Sequence, residues 1–428
     1  MIGMLRAVGM AIRSGLRDRR AARWGRAAAR RRRRGGPAVV AVTGAAGKST
    51  TVQLLAHLLG GSPKVATSVT SNRDQDIFRA FLRLGPEAEM FVCEASEFPV
   101  ATLARVAATL EPDVAVLTIS GLDHFTAFRS RDAVAAELAT LAHGQSAAGV
   151  VVVNADDGHL MRAIAGAPPR IVSFGTTAAA DYRATDVAIG ADLTLSCICR
   201  HAATALPLQT RLVGRHQHVA LMAAVAVAHR AGVPWPTIAA RVASFEPVFG
   251  RCSRIAVPDG PTFICDTVKA PAWSCETSLG ILEECRTAPR RTLVFGTLSD
   301  YAGDARRQYR RLLRRARSCT DRVIFLRQSP TRVGATADEQ VTGRVLFFED
   351  VAAIADHIGR TAVPGEVILL KGSARADHLE RVALASEAAV ACRADKCGRG
   401  RQCVECELLR GTPGRATRVP VPRRRLAG

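Results

Sequence analysis

The stretch VTGAAGKSTTVQLLAHLLG carries the residues of this chain whose types and spacing most directly predict chemistry. A strand-like run ends in a glycine turn, and an apolar helical pattern begins at Gly-Lys-Ser-Thr. Backbone N–H groups at the start of a helix, together with Lys48, suit the β- and γ-phosphates of a nucleotide, and the hydroxyl of Ser49 or Thr50 can reach Mg²⁺. The usual phosphate loop has four residues between its first glycine and the Gly-Lys pair, whereas only two alanines separate Gly44 from Gly47 here. We therefore predict a phosphate site built on a shortened loop.

Four cysteines near the end of the chain form a second candidate site. They follow the pattern C-x4-C-x5-C-x2-C among arginines and lysines, at Cys392, Cys397, Cys403 and Cys406. Positive neighbours lower the pKa of a thiol and favour the thiolate. Four thiolates at this spacing suit a structural zinc ion, with an iron–sulfur cluster or four reduced thiols as the alternatives. The other eight of the twelve cysteines are scattered, which favours a reducing, cytoplasmic setting over a disulfide framework.

The elements that position the phosphate loop alternate between strand and helix patterns, and polar residues follow the strands. This indicates an α/β fold with a doubly wound sheet and its site at the carboxyl edge. The predicted strands are 38–42, 89–93, 113–119, 150–153 and 171–174, then a β-rich segment at 182–212, then 262–265, 292–295, 322–326, 344–348 and 366–370. The predicted parts are a basic N-terminal arm (1–36), a phosphate-loop ATP-binding domain (37–248), a smaller Rossmann-like α/β domain (249–391) and a cysteine-rich basic tail (392–428).

The positive charge of the chain is concentrated at its two ends. The formal net charge is +21, with dense arginine runs at 17–34 and 410–425. We expect solvated, flexible arms there, which could also contact anionic lipid or nucleic acid. Residues 1–17 place apolar side chains at helical spacing between arginines, so a helix lying on a membrane surface and a frayed extension are both open. Nucleic-acid binding is disfavoured because the basic runs lack interleaved aromatic residues.

Seven stretches, in order along residues 37–390, resemble motifs of the Mur ligase family. The shortened loop TGAAGKST is similar to the phosphate loop of that family. The other six are LEPDVAVLTISGLDHF, VVVNADD, LVGRHQHVALMAAVAVA, FEPVFGRCSRI, FICDTVKAPAWS and ILLKGSARADHLE. The last of these resembles a segment of the D-Ala-D-Ala-adding type. The resemblance implies an ATP-dependent, ADP-forming ligase that joins a carboxylate to an amine through an acyl phosphate.

The resemblance also implies the metal ligands and catalytic residues of the first domain. Lys48 and a first Mg²⁺ would neutralise the phosphates, and Glu94 and His124 would hold a second Mg²⁺. Many family members carry a carbamoylated lysine after this histidine, but the matching stretch RDAVAAELATLA has no lysine. Glu137 is the residue there that could furnish the carboxylate directly, and an ordinary role on the helix surface is the alternative.

Further residues are implied for the nucleotide and for the second domain. Gln217 would hydrogen-bond the base, although Ala220 stands where the family has a second asparagine. Arg251 would lie near the phosphates at a hinge and Asp266 near the ribose. Lys371 would act on the acyl phosphate. The resemblance thus implies that both domains contribute to catalysis.

The substrates are less well defined by the sequence. Only about 36 residues precede the first strand, so we expect no N-terminal domain for a UDP-sugar. An amino acid or peptide of a specialised or polymer pathway is the main expectation, and a poly-γ-glutamate synthase-like or cell-wall precursor ligase is the alternative. A phosphate-loop ATPase or kinase-like protein, or a nucleic-acid-binding protein, that makes no amide is the competing class.

Overall fold

The computed structural model describes residues 21–411 except 70, 169, 396, 398, 400 and 401. Contacts divide the chain into two compact units. The first unit extends through Gly190 and also takes 195–211 and 216–246, and the second consists of 191–194, 212–215 and the chain from Pro247 onward. Each unit is built on one sheet, of nine and six strands. The α/β fold class predicted from the alternating pattern is confirmed.

In the sheet of the first unit, the first strand lies in the interior, with earlier-following strands on one side and later ones on the other. Its end is therefore at the point where the strand order reverses. The order is β2-β3-β1-β4-β5-β6-β7-β8-β9, parallel from β2 to β7, with β8 antiparallel to β7. Because β2 and β3 lie on one side of β1, with β3 beside it, and β4 lies on the other side, the loops after β1, β3 and β4 meet at one edge. The strands are β1 (Ala38–Thr43), β2 (Val65–Ser68), β3 (Met90–Glu94), β4 (Val114–Leu117), β5 (Val150–Asn154), β6 (Arg170–Gly175), β7 (Tyr182–Ile189), β8 (Thr194–His201) and β9 (Thr204–Val213).

Helices cover this sheet because their apolar faces match strands that are rich in valine and buried. The helix after the 3₁₀ turn Arg215–Gln217 is the most apolar, and nine consecutive residues of it, 220–228, are buried. The helices are α1 (described at 21–33), α2 (Lys48–Leu58), α3 (Asp74–Leu82), α4 (Thr102–Leu110), α5 (Arg131–His143), α6 (Gly158–Ala163), α7 (His218–Arg230) and α8 (Trp235–Ser244).

The second unit has a six-stranded sheet of order β10-β11-β15-β12-β13-β14, parallel except for β10 at the edge. The strands are β10 (Ser253–Ala256), β11 (Thr262–Asp266), β12 (Arg291–Phe295), β13 (Arg322–Leu326), β14 (Val345–Phe348) and β15 (Val367–Lys371). The helices are α9 (Ala272–Glu284), α10 (Ala305–Ala316), α11 (Pro330–Val333), α12 (Ala337–Val341), α13 (Val351–Thr361) and α14 (Glu380–Leu384), and Cys403–Glu405 forms a 3₁₀ turn.

The expectation of a flexible arginine arm is wrong for residues 21–33. These residues form α1, and Ala28 is fully buried against the core of the first unit. Arg31 donates to the carbonyls of Leu82 (3.0 Å) and Leu84 (2.8 Å), and Arg32 donates to that of Leu110 (2.9 Å). These carbonyls lie at the ends of α3 and α4, where backbone acceptors lack helical partners and favour a cation. The arginines therefore fasten α1 to the domain instead of leaving it in solvent.

Two further expectations fall partly or wholly outside the described residues. The amphipathic pattern at 1–17 lies outside them, as does most of the basic run at 410–425. Among the described residues, no helix combines the length and the apolar character needed to cross a membrane.

Candidate active site

The shortened loop between β1 and α2 is held in a conformation that only glycine tolerates easily. Gly44 has φ 136° and Gly47 has φ 82°. A Cβ atom on Gly44 would lie 2.0 Å from the Thr118 hydroxyl oxygen, so no larger residue fits without rearrangement. That hydroxyl donates to the carbonyl of Ala46 (2.6 Å) and joins the loop to the end of β4. Lys48, the first residue of α2, donates from Nζ to the Gly44 carbonyl and so lies across the loop.

Glu94 and Ser49, two of the predicted metal ligands, are in direct contact. β3 pairs with β1 so that Glu94 lies beside Val42, just before the loop. Its Oε2 accepts from the Ser49 hydroxyl (2.7 Å), and its Oε1 accepts from the amide nitrogen of Asn72 (2.9 Å). Both Ser49 and the adjacent Thr50 are buried. A hydroxyl and a carboxylate at the start of a helix form an oxygen-rich site of the kind that Mg²⁺ prefers.

A second carboxylate, which the sequence analysis did not single out, lies between the predicted lysine and histidine. Glu97 is fully buried, and its carboxylate oxygens have no hydrogen-bond partner among the described residues. Oε2 lies 3.7 Å from Lys48 Nζ, and Oε1 lies 4.0 Å from His124 Nε2. The ligand atoms of Glu97, Asp123 and His124 all lie within 4.8 Å of one another. A buried carboxylate without a hydrogen-bond donor is costly unless a cation compensates it.

The surroundings of His124 fix its side chain. Its backbone has φ 55°, and its ring stacks on Phe98 with centroids 4.7 Å apart and planes 20° apart. The segment CEASEF therefore supplies both the carboxylates and the aromatic platform. The signal available in the sequence was a second glutamate three residues after Glu94, beyond the predicted strand end. The sequence does not distinguish the two glutamates, because which of them faces Lys48 depends on the path of the chain after β3.

Glu137, the residue predicted to replace the carbamoylated lysine, lies on α5 and points to the start of α4. Its Oε1 accepts from the backbone N–H of Ala101 (2.8 Å), the N-cap residue of α4. Partial burial raises the pKa of Glu137 above its ordinary value, and the charge of Glu97 also raises it, although the Ala101 N–H opposes this. Glu137 is not one of the three residues whose ligand atoms gather around His124. Its role as a metal ligand stays a prediction.

The predicted base-binding residue lies where α7 approaches the phosphate loop. Gln217 is buried at the N-cap of α7. Ala220, where the family motif has an asparagine, is buried, and its Cβ lies 4.0 Å from where a Cβ on Gly47 would be. The small alanine therefore fits a close approach of α7 to the loop. The neighbouring His218 lies 3.6 Å from the Asp156 carboxylate.

In the second unit, Asp266, which is partly buried, forms an ion pair with the buried Lys371. They are register partners at the carboxyl ends of β11 and β15, and Lys371 Nζ donates to Asp266 Oδ2 (2.6 Å). The Ser278 hydroxyl donates to the same oxygen (2.7 Å). Burial alone would raise the pKa of Asp266, but Lys371, Ser278 and the charge of Arg251 outweigh it and hold the pKa below its ordinary value. Three predicted residues of this unit are therefore electrostatic neighbours.

The four tail cysteines are close enough to line one small cavity, together with four other residues. For one of them, the expectation of a lowered thiol pKa is wrong. Burial raises the pKa of Cys403 to about 12, outweighing the opposing charge of Arg381. Positive neighbours in the sequence did not predict this because the solvent exclusion of the sulfur depends on the folded packing.

Two family models match this chain. The Mur ligase middle domain matches residues 42–228, and the glutamate ligase domain of Mur ligases matches residues 250–374. The first match contains the phosphate loop, Glu94, Glu97 and His124. The second contains Arg251, Asp266 and Lys371. Every predicted residue of the ATP reaction therefore lies within one of these two matches.

Individual proteins give the same result. The chain is 27% identical, over 79% of its length and 71% of the relative's, to UDP-N-acetylmuramoyl-L-alanyl-D-glutamate--2,6-diaminopimelate ligase of Synechococcus elongatus. It is 24% identical, over 80% of its length and 75% of the relative's, to UDP-N-acetylmuramoyl-tripeptide--D-alanyl-D-alanine ligase of Escherichia coli. For some other curated relatives, the match spans only about half of their own length.

A solved structure is similar in fold. The MurF ligase from Thermotoga maritima, in complex with ADP, matches with a TM-score of 0.73 and 20% identity over 82% of this chain and 80% of that one.

Proposed function

The chain belongs to the Mur ligase family of ATP-dependent, ADP-forming amide ligases, and on that premise we propose how its own residues perform the reaction. Such a ligase acts on a carboxylate-bearing substrate and an amino acid or peptide amine. The substrate carboxylate attacks the γ-phosphorus of ATP, ADP leaves, and the amine then displaces phosphate from the acyl phosphate to form the amide. Both steps place negative charge close together, so the protein must hold positive charge in position beforehand.

The phosphate loop is the part of the first unit that we assign to ATP. The N–H groups at the start of α2 face the phosphates, and Lys48 exchanges its Gly44 carbonyl for phosphate oxygen. This exchange is favourable because a phosphate carries full negative charge, whereas a carbonyl carries only a dipole. Gln217, at the start of α7, is assigned to the base. The observation that carries the proposal is the position of Lys48, which contacts the loop and lies 3.7 Å from the buried Glu97 carboxylate.

The residues beside the loop fit magnesium, the metal of this family. Ser49, Thr50 and Glu94 provide oxygen ligands for one ion. Glu97 and His124, whose ligand atoms lie within 4.8 Å of each other and of Asp123, would hold a second ion with Glu94, and the buried Glu97 oxygens, which lack a hydrogen-bond partner among the described residues, are the feature that fits a cation. Magnesium there would neutralise phosphate charge during the transfer. Glu97 and His124 keep that position negative and fixed, and the ring of Phe98 holds His124 in place.

The second unit contributes three of the residues that the family resemblance implies. We assign Arg251 to the phosphates, Asp266 to the ribose and Lys371 to the acyl phosphate. The short Lys371–Asp266 contact supports one part of this assignment, since it keeps both groups ionised in a buried setting. Asp266 also keeps Lys371 oriented, so the two residues act together.

The substrates remain the open part of the proposal. The relatives named above act on UDP-N-acetylmuramoyl peptides. We propose that this chain joins an amino acid or short peptide to a carboxylate of a specialised or polymer pathway, with a poly-γ-glutamate-like or cell-wall precursor substrate as the second candidate. Contact with a membrane surface through residues 1–17 stays a prediction. A structural zinc ion at the tail cysteines also stays a prediction, and no step of this reaction needs it.

Trapping the acyl phosphate tests the proposal before the amine is identified. The purified chain is incubated with ATP, Mg²⁺, hydroxylamine and a panel of amino acids, short peptides and UDP-N-acetylmuramoyl peptides as carboxylates. We expect ADP release that depends on one class of carboxylate and an equal amount of hydroxamate, identified by its mass. Amines are then screened with that carboxylate. ADP release without hydroxamate or amide for any carboxylate would favour an ATPase.

Lys48→Ala tests the assignment of the loop, with Lys64→Ala as its matched control. Lys64 is an exposed lysine paired with Glu89 on the surface of the same unit. We expect Lys48→Ala to lower kcat by at least about 10²-fold, because it removes the charge that stabilises the transferred phosphoryl group. Lys64→Ala should leave kcat unchanged. Near-normal turnover by folded Lys48→Ala would contradict the phosphate-loop assignment.

A further inference from the structure

Three side chains that can bind a metal meet where the cysteine segment packs against the start of α14. They are His378, Glu380 and Cys403, and one ligand atom of each lies within 4.8 Å of the other two. All three residues are buried. The other group of this kind among the described residues is the one around His124 at the active site. The second unit therefore contains a candidate metal site that the ATP reaction does not use.

Two polar atoms of this group have no hydrogen-bond partner among the described residues. They are Glu380 Oε2 and His378 Nε2. The exposed fraction is 1% for Glu380 and 2% for His378, so bulk water does not compensate these atoms. Glu380 Oε1 accepts from the backbone N–H of Cys403 (3.3 Å), which holds the carboxylate beside the cysteine. Since unpaired buried polar atoms are costly, a bound ion or water is expected beside them.

The one distance between ligand atoms of different residues that the group fixes closely agrees with zinc. Cys403 Sγ lies 3.5 Å from His378 Nδ1. Zinc binds sulfur at ~2.3 Å and imidazole nitrogen at ~2.0–2.1 Å, so at a tetrahedral angle the two atoms would be about 3.6 Å apart. A hydrogen bond between thiol and imidazole has a similar length, but it would leave Glu380 Oε2 without a partner. Thiolate and imidazole ligands also favour zinc over magnesium, which prefers oxygen.

The charges of the group suit a divalent ion. Burial lowers the pKa of His378 to about 4, so its imidazole is neutral at pH 7 and keeps a lone pair for a metal. Zinc binding would release the proton of the Cys403 thiol to solvent, and the thiolate and the Glu380 carboxylate together balance the two charges of the ion. Arg381 Nε donates to the Cys403 sulfur (3.2 Å) and so stabilises the thiolate. The resulting site would be electrically neutral.

The tail cysteines define the competing assignment. Cys403 also lines a narrow cavity with Cys392, Cys397 and Cys406, and this cavity has room for about one water-sized sphere, about 10 Å³. The zinc ion expected from the spacing of the four cysteines would share only Cys403 with the buried group. Since zinc usually takes four ligands, a water or one neighbouring thiol would complete the buried group.

We propose that His378, Glu380 and Cys403 bind one zinc ion, which fastens the cysteine segment to the start of α14. The ion has a structural role, because it joins two segments that are distant in the sequence. The packing of Cys403 against Leu384 of α14 and against Leu409 brings the same two segments together.

Zinc analysis of the full chain tests the site directly. The protein is purified without a metal-binding tag, and zinc is measured per chain before and after dialysis against zinc. X-ray absorption at the zinc edge then counts the ligands, because Zn–S bonds (~2.3 Å) are longer than Zn–N and Zn–O bonds (~2.0–2.2 Å). We expect one zinc per chain, with one or two sulfur ligands and the rest nitrogen or oxygen. No bound zinc after dialysis, no sulfur ligand, or three or four sulfur ligands would overturn the proposal.

Variants then locate the ion. His378→Gln and Glu380→Gln should each weaken zinc binding by at least about tenfold, measured by competition with a chromophoric chelator. His357→Gln is the matched control, because His357 is a half-buried histidine of α13 in the same unit, and it should retain the wild-type affinity.

Cys406→Ser separates the two assignments. Wild-type affinity in His378→Gln and Glu380→Gln, whether or not Cys406→Ser loses zinc, would place the ion elsewhere and overturn the proposal. Loss in Cys406→Ser as well as in the other two would support it and identify Cys406 as the fourth ligand. Since the ligand count of the wild type is decisive by itself, a variant that fails to fold does not leave the proposal untested.

Discussion

Glu97 and Glu137 have different environments, and this difference separates the roles that we propose for them. Glu97 is fully buried between Lys48 and His124, and no described residue donates a hydrogen bond to its carboxylate. Glu137 is only partly buried, and the N–H at the start of α4 already satisfies one of its oxygens. A carboxylate that lacks a donor is available for a metal ion, whereas one that caps a helix must give up that contact first. These environments therefore favour Glu97 over Glu137 as the carboxylate of the second magnesium site that we propose.

Glu97→Gln keeps the shape of the side chain and removes its charge. We expect a fall in kcat of about tenfold or more and a higher Mg²⁺ concentration for half-maximal rate, because a charged oxygen ligand is lost. The affinity for ATP should change little, since Lys48 and the loop remain. The measurement is a magnesium titration of ADP release at saturating ATP.

Glu137→Gln is the comparison in the same titration. If Glu137 mainly caps α4, its variant should follow the magnesium curve of the wild type, and activity should not depend on added bicarbonate. A large shift for Glu137→Gln with none for Glu97→Gln would restore Glu137 as the replacement for the carbamoylated lysine.

At the scale of elements, the sheet of the second unit is held together by a buried charged group at the start of β15. Glu366 has no solvent exposure and accepts from Arg290, from the Thr292 hydroxyl of β12 and from Arg322 of β13 (2.9 Å). Arg322 is itself buried and also donates to the Thr361 hydroxyl at the end of α13 (2.8 Å). Three strands and one helix thus share one network. Removing the carboxylate would leave a buried arginine uncompensated.

Glu366→Gln tests this network. We expect a loss of about 3–5 kcal/mol in the free energy of unfolding, the usual cost of breaking a buried ion pair from one side. Glu283→Gln is the matched control, because Glu283 pairs with Arg315 on the surface and should contribute about 0–1 kcal/mol. Calorimetric unfolding measures the loss of stability in both variants. Equal small effects would mean that Glu366 is replaceable.

The stability that the charge of Glu366 provides should depend on pH in a defined direction. Burial would raise the pKa of Glu366, but the hydrogen bonds from Arg290 and Thr292 outweigh it and lower the pKa below its ordinary value. A lowered pKa stabilises the folded state fully above the unfolded pKa, about 4.3 for glutamate, and this stabilisation is lost as the pH falls through the folded value. The stability difference between wild type and Glu366→Gln should therefore be constant near neutral pH and shrink below about pH 4. A difference that grows on acidification would contradict the network.

At the scale of the whole molecule, the positive charge of the chain ends falls into two parts, one of which belongs to the fold. In α1, Arg31 and Arg32 bind backbone carbonyls of the first unit, so their charge is part of the fold. Residues 1–20 and 412–428 lie outside the described chain. Truncations that remove the arginines of α1 should therefore change the stability of the protein differently from truncations that remove only the outer segments.

Two truncations test this division. A chain of residues 21–411 should keep both its unfolding temperature and its ADP-forming activity. A chain that begins at Ala38 loses α1, and its first unit should unfold at a lower temperature because Ala28 and the arginine contacts are removed. Equal stability of the two chains would show that α1 is dispensable. Binding to a nucleic-acid duplex or to anionic vesicles, compared between the full chain and residues 21–411, reports any separate role of the outer segments.

The sequence by itself determined the phosphate loop, the alternation of strands and helices, and the family. Local signals suffice for these features. Each of these signals depends on neighbours within a few residues. They are the glycines at the turn, the lysine at the helix start and the period-two or apolar patterns of the strands. Glu94, His124, Asp266 and Lys371 were found in the same way, because each follows a strand or lies within a family motif.

Only the tertiary structure decided which carboxylate lies between Lys48 and His124, which arginines are buried and which residues surround the tail cysteines. The sequence analysis named Glu137 and not Glu97, because the position of each glutamate relative to Lys48 and His124 depends on how the ends of β3, β4 and α5 meet. Arg31 looks like part of a solvated run until its carbonyl partners are brought to it from 51 residues away. The spacing of the four cysteines does not show that they line one cavity, which depends on how the segment packs against α14. These properties depend on contacts between distant segments, which only the folded chain defines.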